Sequence, residues 1–153
     1  KHVNKDYRVI LEQKDVDIVV VATPDHWHAK MCLDAMEAGK DIYCEKPMTR
    51  TIEEAIAVTE AAKKHNRVFT VGVQSMADPT WSEAYKYVRA GKLGHIFQGQ
   101  TSYYRNYIGG QWRYYPLKKD MTPDTIDWDL FLGHKFECLG KPIGPKPEQV
   151  PFD

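Results

Sequence analysis

Three short segments of the chain bring together side chains that can bind or react. Residues 23–28 hold two imidazoles, an indole and a carboxylate, residues 45–47 read Glu-Lys-Pro, and residues 72–75 include the amide of Gln74. An ammonium group beside a carboxylate can donate to a substrate oxygen or take part in proton transfer, and an amide can bind a ribose or a carboxamide. Taken singly, each segment also has a simple structural explanation.

The two histidines of the first segment suggest one specific chemistry. His26 and His28 lie two positions apart, a spacing that also occurs in metal-dependent hydrolases with a His-x-His pair at a strand end. Such a site needs further ligands at the ends of later strands. The four other histidines fall at the chain start, a helix end, a strand start and a late loop, so the pattern favours no metal site. The structural alternative is that His28 caps a helix while Trp27 packs.

Hydrophobic periodicity predicts the elements that must position these segments. The β-branched run over residues 17–22 and the segments 41–44 and 67–72 predict three short strands. Helical spacing predicts a helix over residues 28–39, and a Thr-x-x-Glu capping box opens another over residues 51–65. Short strands that alternate with helices predict a doubly wound α/β fold, with a parallel sheet covered on both faces. Ligands of such sheets bind beyond the carboxyl ends of the strands, where the three segments lie.

The rest of the chain predicts a change of architecture. The end of a helix is expected at residues 7–11, and a helix over residues 78–91 begins with an Asp-Pro pair. Alternating side chains predict a longer, half-exposed strand over residues 95–104, and a short helix is expected over residues 126–132, before a glycine. We therefore expect a domain change near residues 91–95.

Composition excludes several classes of partner. The 153 residues carry 21 Lys and Arg against 21 Asp and Glu, with no long basic run, so we expect neither a nucleic-acid nor a membrane partner. The longest apolar stretch, residues 18–22, is far shorter than the ~20 residues that cross a bilayer. The odd number of cysteines, Cys32, Cys44 and Cys138, predicts reduced thiols, in keeping with a cytoplasmic protein. Cys44, at the end of a buried strand, is expected to be packed and inert.

Together, the motifs resemble a known family. Residues 20–28, 38–47 and 71–74 resemble the nucleotide-binding half of the glucose-fructose oxidoreductase, inositol dehydrogenase and MocA (Gfo/Idh/MocA) family of NAD(P)-dependent oxidoreductases. The three segments read Val-Val-Ala-Thr-Pro-Asp-His-Trp-His, Ala-Gly-Lys-Asp-Ile-Tyr-Cys-Glu-Lys-Pro and Val-Gly-Val-Gln. Their mutual spacing makes the match specific, and residues 89–94 resemble the family's entry into its second domain. The resemblance covers roughly residues 6–115.

The resemblance implies a fold and an activity. Residues 1–93 would be the C-terminal portion of a dinucleotide-binding, Rossmann-like domain, and residues 94–153 the beginning of an α/β domain with an open mixed sheet for substrate binding and homo-oligomer contacts. The activity would be hydride transfer between NAD or NADP and a carbohydrate or cyclitol hydroxyl. The alternatives are an NAD-dependent glycoside hydrolase of the same family, a metal-dependent hydrolase using His26 and His28, and a non-catalytic scaffold.

The resemblance also assigns roles to individual residues. Lys46 would be the active-site lysine, Pro47 a cis-proline, and Glu45 a contact of the nicotinamide ribose. The residues expected to bind the cofactor are Thr23, Pro24, Trp27, His28, Glu45, Lys46 and Gln74. The residues expected beside the substrate are Lys46, Tyr103, Trp112 and Arg113. No residue is expected to bind a metal.

Two features of the family are missing from the sequence. There is no GxGxxG turn, so the pyrophosphate loop and the acidic residue that reads the ribose hydroxyls are absent. The family's downstream Gly-rich segment, whose Asp and His usually supply the proton-transfer partner, is also absent. We therefore expect an internal fragment of an enzyme, inactive by itself.

Overall fold

The computed structural model describes residues 3–104, 106, 108 and 118–152. The expected substrate residues Trp112 and Arg113 lie outside the described residues. The elements, in chain order, are α1 (Arg8–Leu11), β1 (Ile18–Val21), α2 (Asp25–Glu37), β2 (Asp41–Glu45), α3 (Ile52–Lys64), β3 (Phe69–Gly72), α4 (Pro79–Arg89), α5 (Trp128–Leu132), β4 (Glu137–Cys138) and β5 (Lys141–Pro142).

The predicted α/β class with a parallel sheet is confirmed. Strand β2 lies between β1 and β3 and pairs with both in parallel, so that Val21 lies opposite Cys44, and Glu45 opposite Gly72. The carboxyl ends of all three strands therefore meet at one edge of the sheet. The loops that follow β1 and β2 leave this edge side by side.

Helices cover one face of this sheet within the described part of the chain. Val21 and Ile42 are buried with residues of α2 and α3, among them Met36 and Val58, in one apolar cluster. Strand alternation places Val20 and its neighbours on the opposite face, where Ile18 is 63%, Val20 66% and Tyr43 42% exposed. The expectation of a sheet covered on both faces is therefore met on one side only, because no described element packs against the other.

The helix-capping hydrogen bonds predicted from the sequence are present in the structure. Oγ1 of Thr51 accepts from the backbone N–H of Glu54 at 3.2 Å, and the Glu54 carboxylate accepts from the N–H of Thr51 at 3.4 Å, which confirms the capping box. Helix α2 begins at Asp25, three residues earlier than predicted, with Pro24 at the N-cap and no side-chain hydrogen bond to the first turn. Gly39, with φ 76°, ends it as predicted.

One predicted element is not formed. Residues 95–104 have no regular secondary structure, so the prediction of a long strand there is wrong. A strand gains stability from a neighbouring ladder, and the described residues offer this segment none. The preceding helix is confirmed: α4 covers Pro79–Arg89, and its N-cap, Asp78, accepts from the N–H of Thr80 at 2.8 Å.

The described residues divide into two units. One consists of residues within Lys1–Val73 and Thr122–Asp153, the other of residues within Gln74–Met121. This division differs from the predicted functional domains, 1–93 and 94–153, which stay a prediction. None of the helices in the described ranges is long and apolar enough to cross a membrane.

The C-terminal residues pack tightly in the first unit. Helix α5 ends at Gly133, with φ 71°, as predicted, and the antiparallel pair β4 and β5 follows. The buried Ile143 joins the core of the first unit. A Cβ atom on Gly144 would lie 1.8 Å from the carbonyl oxygen of Leu132, so this close backbone approach requires glycine.

Candidate functional site

A buried histidine connects the two loops at the carboxyl edge of the sheet. His28 lies in the first turn of α2 and is 1% exposed. Its Nδ1 lies 2.6 Å from the carbonyl oxygen of Pro47, after β2, and its Nε2 lies 2.8 Å from the carbonyl oxygen of Thr23, after β1. Carbonyl oxygens only accept hydrogen bonds, so a ring that satisfies both must donate from both nitrogens. The geometry therefore requires the imidazolium form.

Two buried thiols share the surroundings of this ring. The hydrogen bond to Cys44 raises the pKa of His28 to about 9, with a further contribution from the Pro47 carbonyl, although burial acts in the opposite direction. A hydrogen bond from Cys32 lowers the pKa of Cys44 to about 5, with His28 contributing, and the same bond and burial raise the pKa of Cys32. Cys32, Cys44 and Cys138 are all buried and free of disulfides, which confirms the prediction of reduced thiols and of a packed Cys44.

The expected active-site lysine stands at the end of β2. Lys46 follows Glu45, the last residue of the strand, and is exposed. Its backbone N–H donates to Oε2 of Glu45 at 3.3 Å, and the Lys46–Pro47 peptide bond is cis, as the resemblance implied. No ion pair with the Lys46 ammonium exists among the described residues. The group is therefore free to meet a ligand.

In the loop after β1, the hydrogen bond to α2 is made by the backbone of Thr23 and not by its side chain. The carbonyl of Thr23 accepts from His28, and its buried Oγ1 has no hydrogen-bond partner among the described residues. Pro24 forms the N-cap of α2 and fixes the direction in which the chain enters the helix. Both residues lie at the edge where the resemblance expects a cofactor.

Trp27 lies in the first turn of α2, next to His28, and is buried. It is 3% exposed, its Nε1 donates to the carbonyl oxygen of Phe131 at 3.2 Å, and its ring packs edge-on against Phe136 with centroids 4.7 Å apart. Trp27 and His28 are thus enclosed by the described part of the protein, and their expected contacts with the cofactor stay a prediction. Of the structural alternative, the packing of Trp27 is confirmed. The expectation that His28 caps the helix is wrong, because α2 begins at Asp25 with Pro24 at the N-cap.

The histidine pair has no metal-binding arrangement in the described part of the chain. No group of three or more His, Cys, Asp or Glu side chains among the residues searched could hold a metal ion. Both nitrogens of His28 face carbonyl oxygens, and Nε2 of His26 lies 2.7 Å from the carbonyl oxygen of Phe131. The described residues therefore offer the metal-hydrolase alternative no set of ligands.

Two expected site residues belong to the second unit. Gln74 follows β3 by two residues and is exposed, and Tyr103 is 71% exposed in the segment without regular structure. Their roles stay predictions.

Sequence reasoning missed the bonds that join the loops. One signal was present, because His28 lies one helical turn before Cys32 and two turns before Ala35, on the buried face of α2. A polar residue in an apolar stripe must find partners inside the protein. No sequence feature indicated that His26 and Trp27 of α2 would contact the carbonyl oxygen of Phe131.

Comparisons with known proteins agree with these motifs. Residues 2–73 match the family model GFO_IDH_MocA, described as oxidoreductase family, NAD-binding Rossmann fold. The chain is 38% identical over 145 residues to a levoglucosan dehydrogenase of Pseudarthrobacter phenanthrenivorans. The aligned region covers 88% of this chain and 37% of that relative. It is 30% identical over 122 residues to an alpha-N-acetylgalactosaminidase of Shewanella oneidensis, covering 71% of the chain and 26% of the relative.

A solved structure shows the same likeness. A levoglucosan dehydrogenase in complex with NADH and levoglucosan matches with a TM-score of 0.57 and 41% identity, over 61% of this chain and 25% of that one. The chain spans between 25% and 37% of the length of these relatives. The matched residues 2–73 contain the loops after β1 and β2 with their His28 connection. The chain therefore belongs to the Gfo/Idh/MocA family of oxidoreductases, through a part of its NAD-binding Rossmann fold.

Proposed function

We propose that the whole protein, meaning this chain with any residues that precede or follow it, transfers hydride between NAD or NADP and a carbon that bears a carbohydrate or cyclitol hydroxyl. The observation that carries the proposal is the exposed ammonium of Lys46 at the carboxyl end of β2, which forms no ion pair with any residue that the structure describes. The dehydrogenase relatives support the substrate class, since the name of one of them is levoglucosan dehydrogenase.

Lys46 would act on the substrate oxygen. When hydride leaves a carbon, the attached hydroxyl must pass its proton to a base, the role that the resemblance gives to the family's Asp and His, and negative charge develops on the oxygen during the transfer. A fixed ammonium can donate a hydrogen bond to that oxygen and stabilise the charge. Lys46 is the only lysine in segments 23–28, 45–47 and 72–75, so it is the candidate for this role.

The strand-end residues fit a dinucleotide. The nicotinamide cofactor, when bound, supplies the hydride acceptor or donor. Glu45 is half-buried, and its Oε1 makes no hydrogen bond or ion pair with the described residues, so this oxygen is available to a ribose hydroxyl. We propose that Thr23, Pro24 and Gln74 complete the cofactor contacts.

We propose three further residues for the substrate side. Tyr103, Trp112 and Arg113 would stand beside the substrate with Lys46. Aromatic rings and a guanidinium are suited to the apolar faces and hydroxyls of sugars.

The test is a substrate panel assayed with the whole protein. Purified protein is incubated with NAD or NADP and with cyclitols, aldoses and anhydrosugars, and reduced nucleotide is followed by absorbance. Substrate-dependent reduction supports the proposal. Its absence with every member of the panel, in protein shown to bind NAD, counts against net dehydrogenation.

A second candidate is favoured by one comparison. The 30% identity to an alpha-N-acetylgalactosaminidase supports transient oxidation of a sugar during cleavage of a glycosidic bond. In that case purified protein retains NAD and releases an aglycone without added nucleotide. The same Lys46 chemistry would serve both reactions.

A further inference from the structure

We propose that His28 is a positioning residue for Lys46: its doubly protonated ring ties the loop after β1 to the loop after β2 and thereby sets the place of the lysine ammonium. This proposal rests on the proposed function, since it concerns the role of Lys46 in that reaction. Because His28 is 1% exposed, we assign it a role through the two loops and not through direct contact with the substrate.

The first argument is the location of the two bonds. Pro47, whose carbonyl accepts from Nδ1 of His28 at 2.6 Å, is the residue directly after Lys46. On its other side, Lys46 follows Glu45, which is paired across the sheet with Gly72. The backbone of Lys46 is therefore fixed on one side by the strand pairing of Glu45 and on the other by the hydrogen bond from His28 to Pro47. A side chain that starts from a backbone fixed on both sides has fewer places to put its ammonium.

The second argument is the protonation that the geometry requires. A neutral imidazole has one N–H, so one of the two carbonyl oxygens would then face a nitrogen lone pair. The imidazolium donates to both, and hydrogen bonds from a charged donor are stronger than neutral ones. The titratable group that faces the ring is Cys44 from β2, and Cys44 in turn interacts with Cys32 from α2 and with Glu45.

The third argument concerns the two segments that are joined. Thr23 precedes His28 by five residues, whereas Pro47 follows it by 19. A histidine that only filled the core could satisfy its nitrogens within one loop. His28 instead connects the ends of two neighbouring parallel strands, which is the place where ligands of such sheets bind.

Two substitutions at His28 each keep one of its two hydrogen bonds and remove the other. The side-chain nitrogen of Asn falls near the Nδ1 position of histidine, and that of Gln near the Nε2 position. His28→Asn therefore keeps a donor for the Pro47 carbonyl, while His28→Gln keeps one for the Thr23 carbonyl and loses the bond beside Lys46. His65→Gln, at the C-cap of α3, serves as the matched control.

The experiment compares steady-state kinetics of the four whole proteins on one substrate found with the panel. We expect His28→Gln to lower kcat about tenfold or more, with KM for the nucleotide changed less than about threefold, because a small displacement of a reacting group costs rate more than binding. His28→Asn should keep kcat within about threefold, and His65→Gln should match the unmodified protein. Equal kcat values for His28→Asn and His28→Gln, or a kcat of His28→Gln within threefold of the unmodified protein, would overturn the proposal.

A spectroscopic measurement keeps the proposal testable if a variant does not fold. In unmodified protein labelled with ¹⁵N-histidine, we expect both ring nitrogens of His28 to carry protons at neutral pH, with His28→Asn identifying the signal or, failing that, contacts to neighbouring protons. A nitrogen signal of the unprotonated type overturns the proposal.

Lys46→Met distinguishes this proposal from the proposed function. If Lys46→Met loses turnover while His28→Gln does not, the positioning role fails and the dehydrogenase function stands. If the unmodified protein oxidises no panel substrate, the proposed function fails, and the nitrogen signals alone decide whether His28 joins the loops as an imidazolium.

Discussion

Nδ1 of His28 lies 2.6 Å from the carbonyl oxygen of Pro47, so the first turn of α2 is bonded to the residue that follows Lys46. This contact connects a helix that follows the first strand to the loop that follows the second. The chemistry expected at Lys46 therefore depends on an element that does not itself carry a reacting group.

Replacement of the lysine is the direct test of the chemistry. Lys46→Met keeps most of the aliphatic stem and removes the donor and its charge, so turnover should fall by a factor of about 10² or more. Because the side chain is exposed and makes no described ion pair, the fold and NAD binding should be retained. Steady-state kinetics and a separate NAD titration measure the two effects. Lys63→Met, an exposed change in the last turn of α3, is the control, and turnover within a few-fold of the unmodified protein would remove Lys46 from the mechanism.

Removal of metal should have no effect on the activity. The nitrogens of His28 and Nε2 of His26 are engaged with backbone carbonyls, so neither ring offers those nitrogens as ligands. Plasma emission analysis of the whole protein should find substoichiometric zinc and iron, and chelation should leave turnover unchanged. One bound zinc per chain, lost in His26→Ala, would instead favour the metal-dependent hydrolase.

A single methyl group at Gly144 should destabilise the first unit. The added Cβ would lie 1.8 Å from the backbone oxygen of Leu132, and backbone cannot move aside as a flexible side chain can. We expect Gly144→Ala to lower the free energy of unfolding by about 3 kcal/mol, at the upper end of overpacking costs. Denaturant unfolding measures this change. Gly99→Ala, where a Cβ meets nothing within 4 Å, should change stability little, and equal effects of the two substitutions would contradict the packing described.

The hydroxyl of Tyr7 should contribute to the attachment of α1. It donates to Oδ2 of Asp34 at 2.5 Å, and burial together with this carboxylate raises the pKa of Tyr7. Hydrogen bonds to charged groups contribute about 1.5–3 kcal/mol, and this one is half-buried, so Tyr7→Phe should cost about 1.5 kcal/mol. Thermal or denaturant unfolding checks the value. Tyr104→Phe, at a side chain that is 87% exposed, is the control and should be neutral.

Local signals in the sequence predicted most of the fold. The capping box of Thr51 and Glu54, the left-handed Gly39 and the β-branched run of β1 depend on near neighbours in the chain, and the structure contains each of them. The strand expected over residues 95–104 rested on alternation alone. Alternation describes which face a side chain would take but supplies no partner strand, and this is why the prediction failed.

The candidate site was predicted in part for the same reason. The position of the site at the end of a strand, together with the family motif, predicted roles for Glu45 and Lys46 and the cis bond of Pro47. The bond between His28 and Pro47 depends on how α2 lies against β2, and no spacing along the chain encodes that contact. The Phe131 carbonyl, which receives His26 and Trp27 from a distance of more than a hundred residues, is a further example.

The two oxygens that His28 binds belong to the main chain, and this has a consequence for redesign of the protein. Every residue type carries a carbonyl, so the side chain at position 23 can be exchanged without removing the acceptor that the histidine uses. Libraries that vary this loop to alter the proposed binding of nucleotide or sugar can therefore keep His28, Lys46 and Pro47 constant. The loop would supply the diversity, and the imidazolium would preserve the geometry of the lysine.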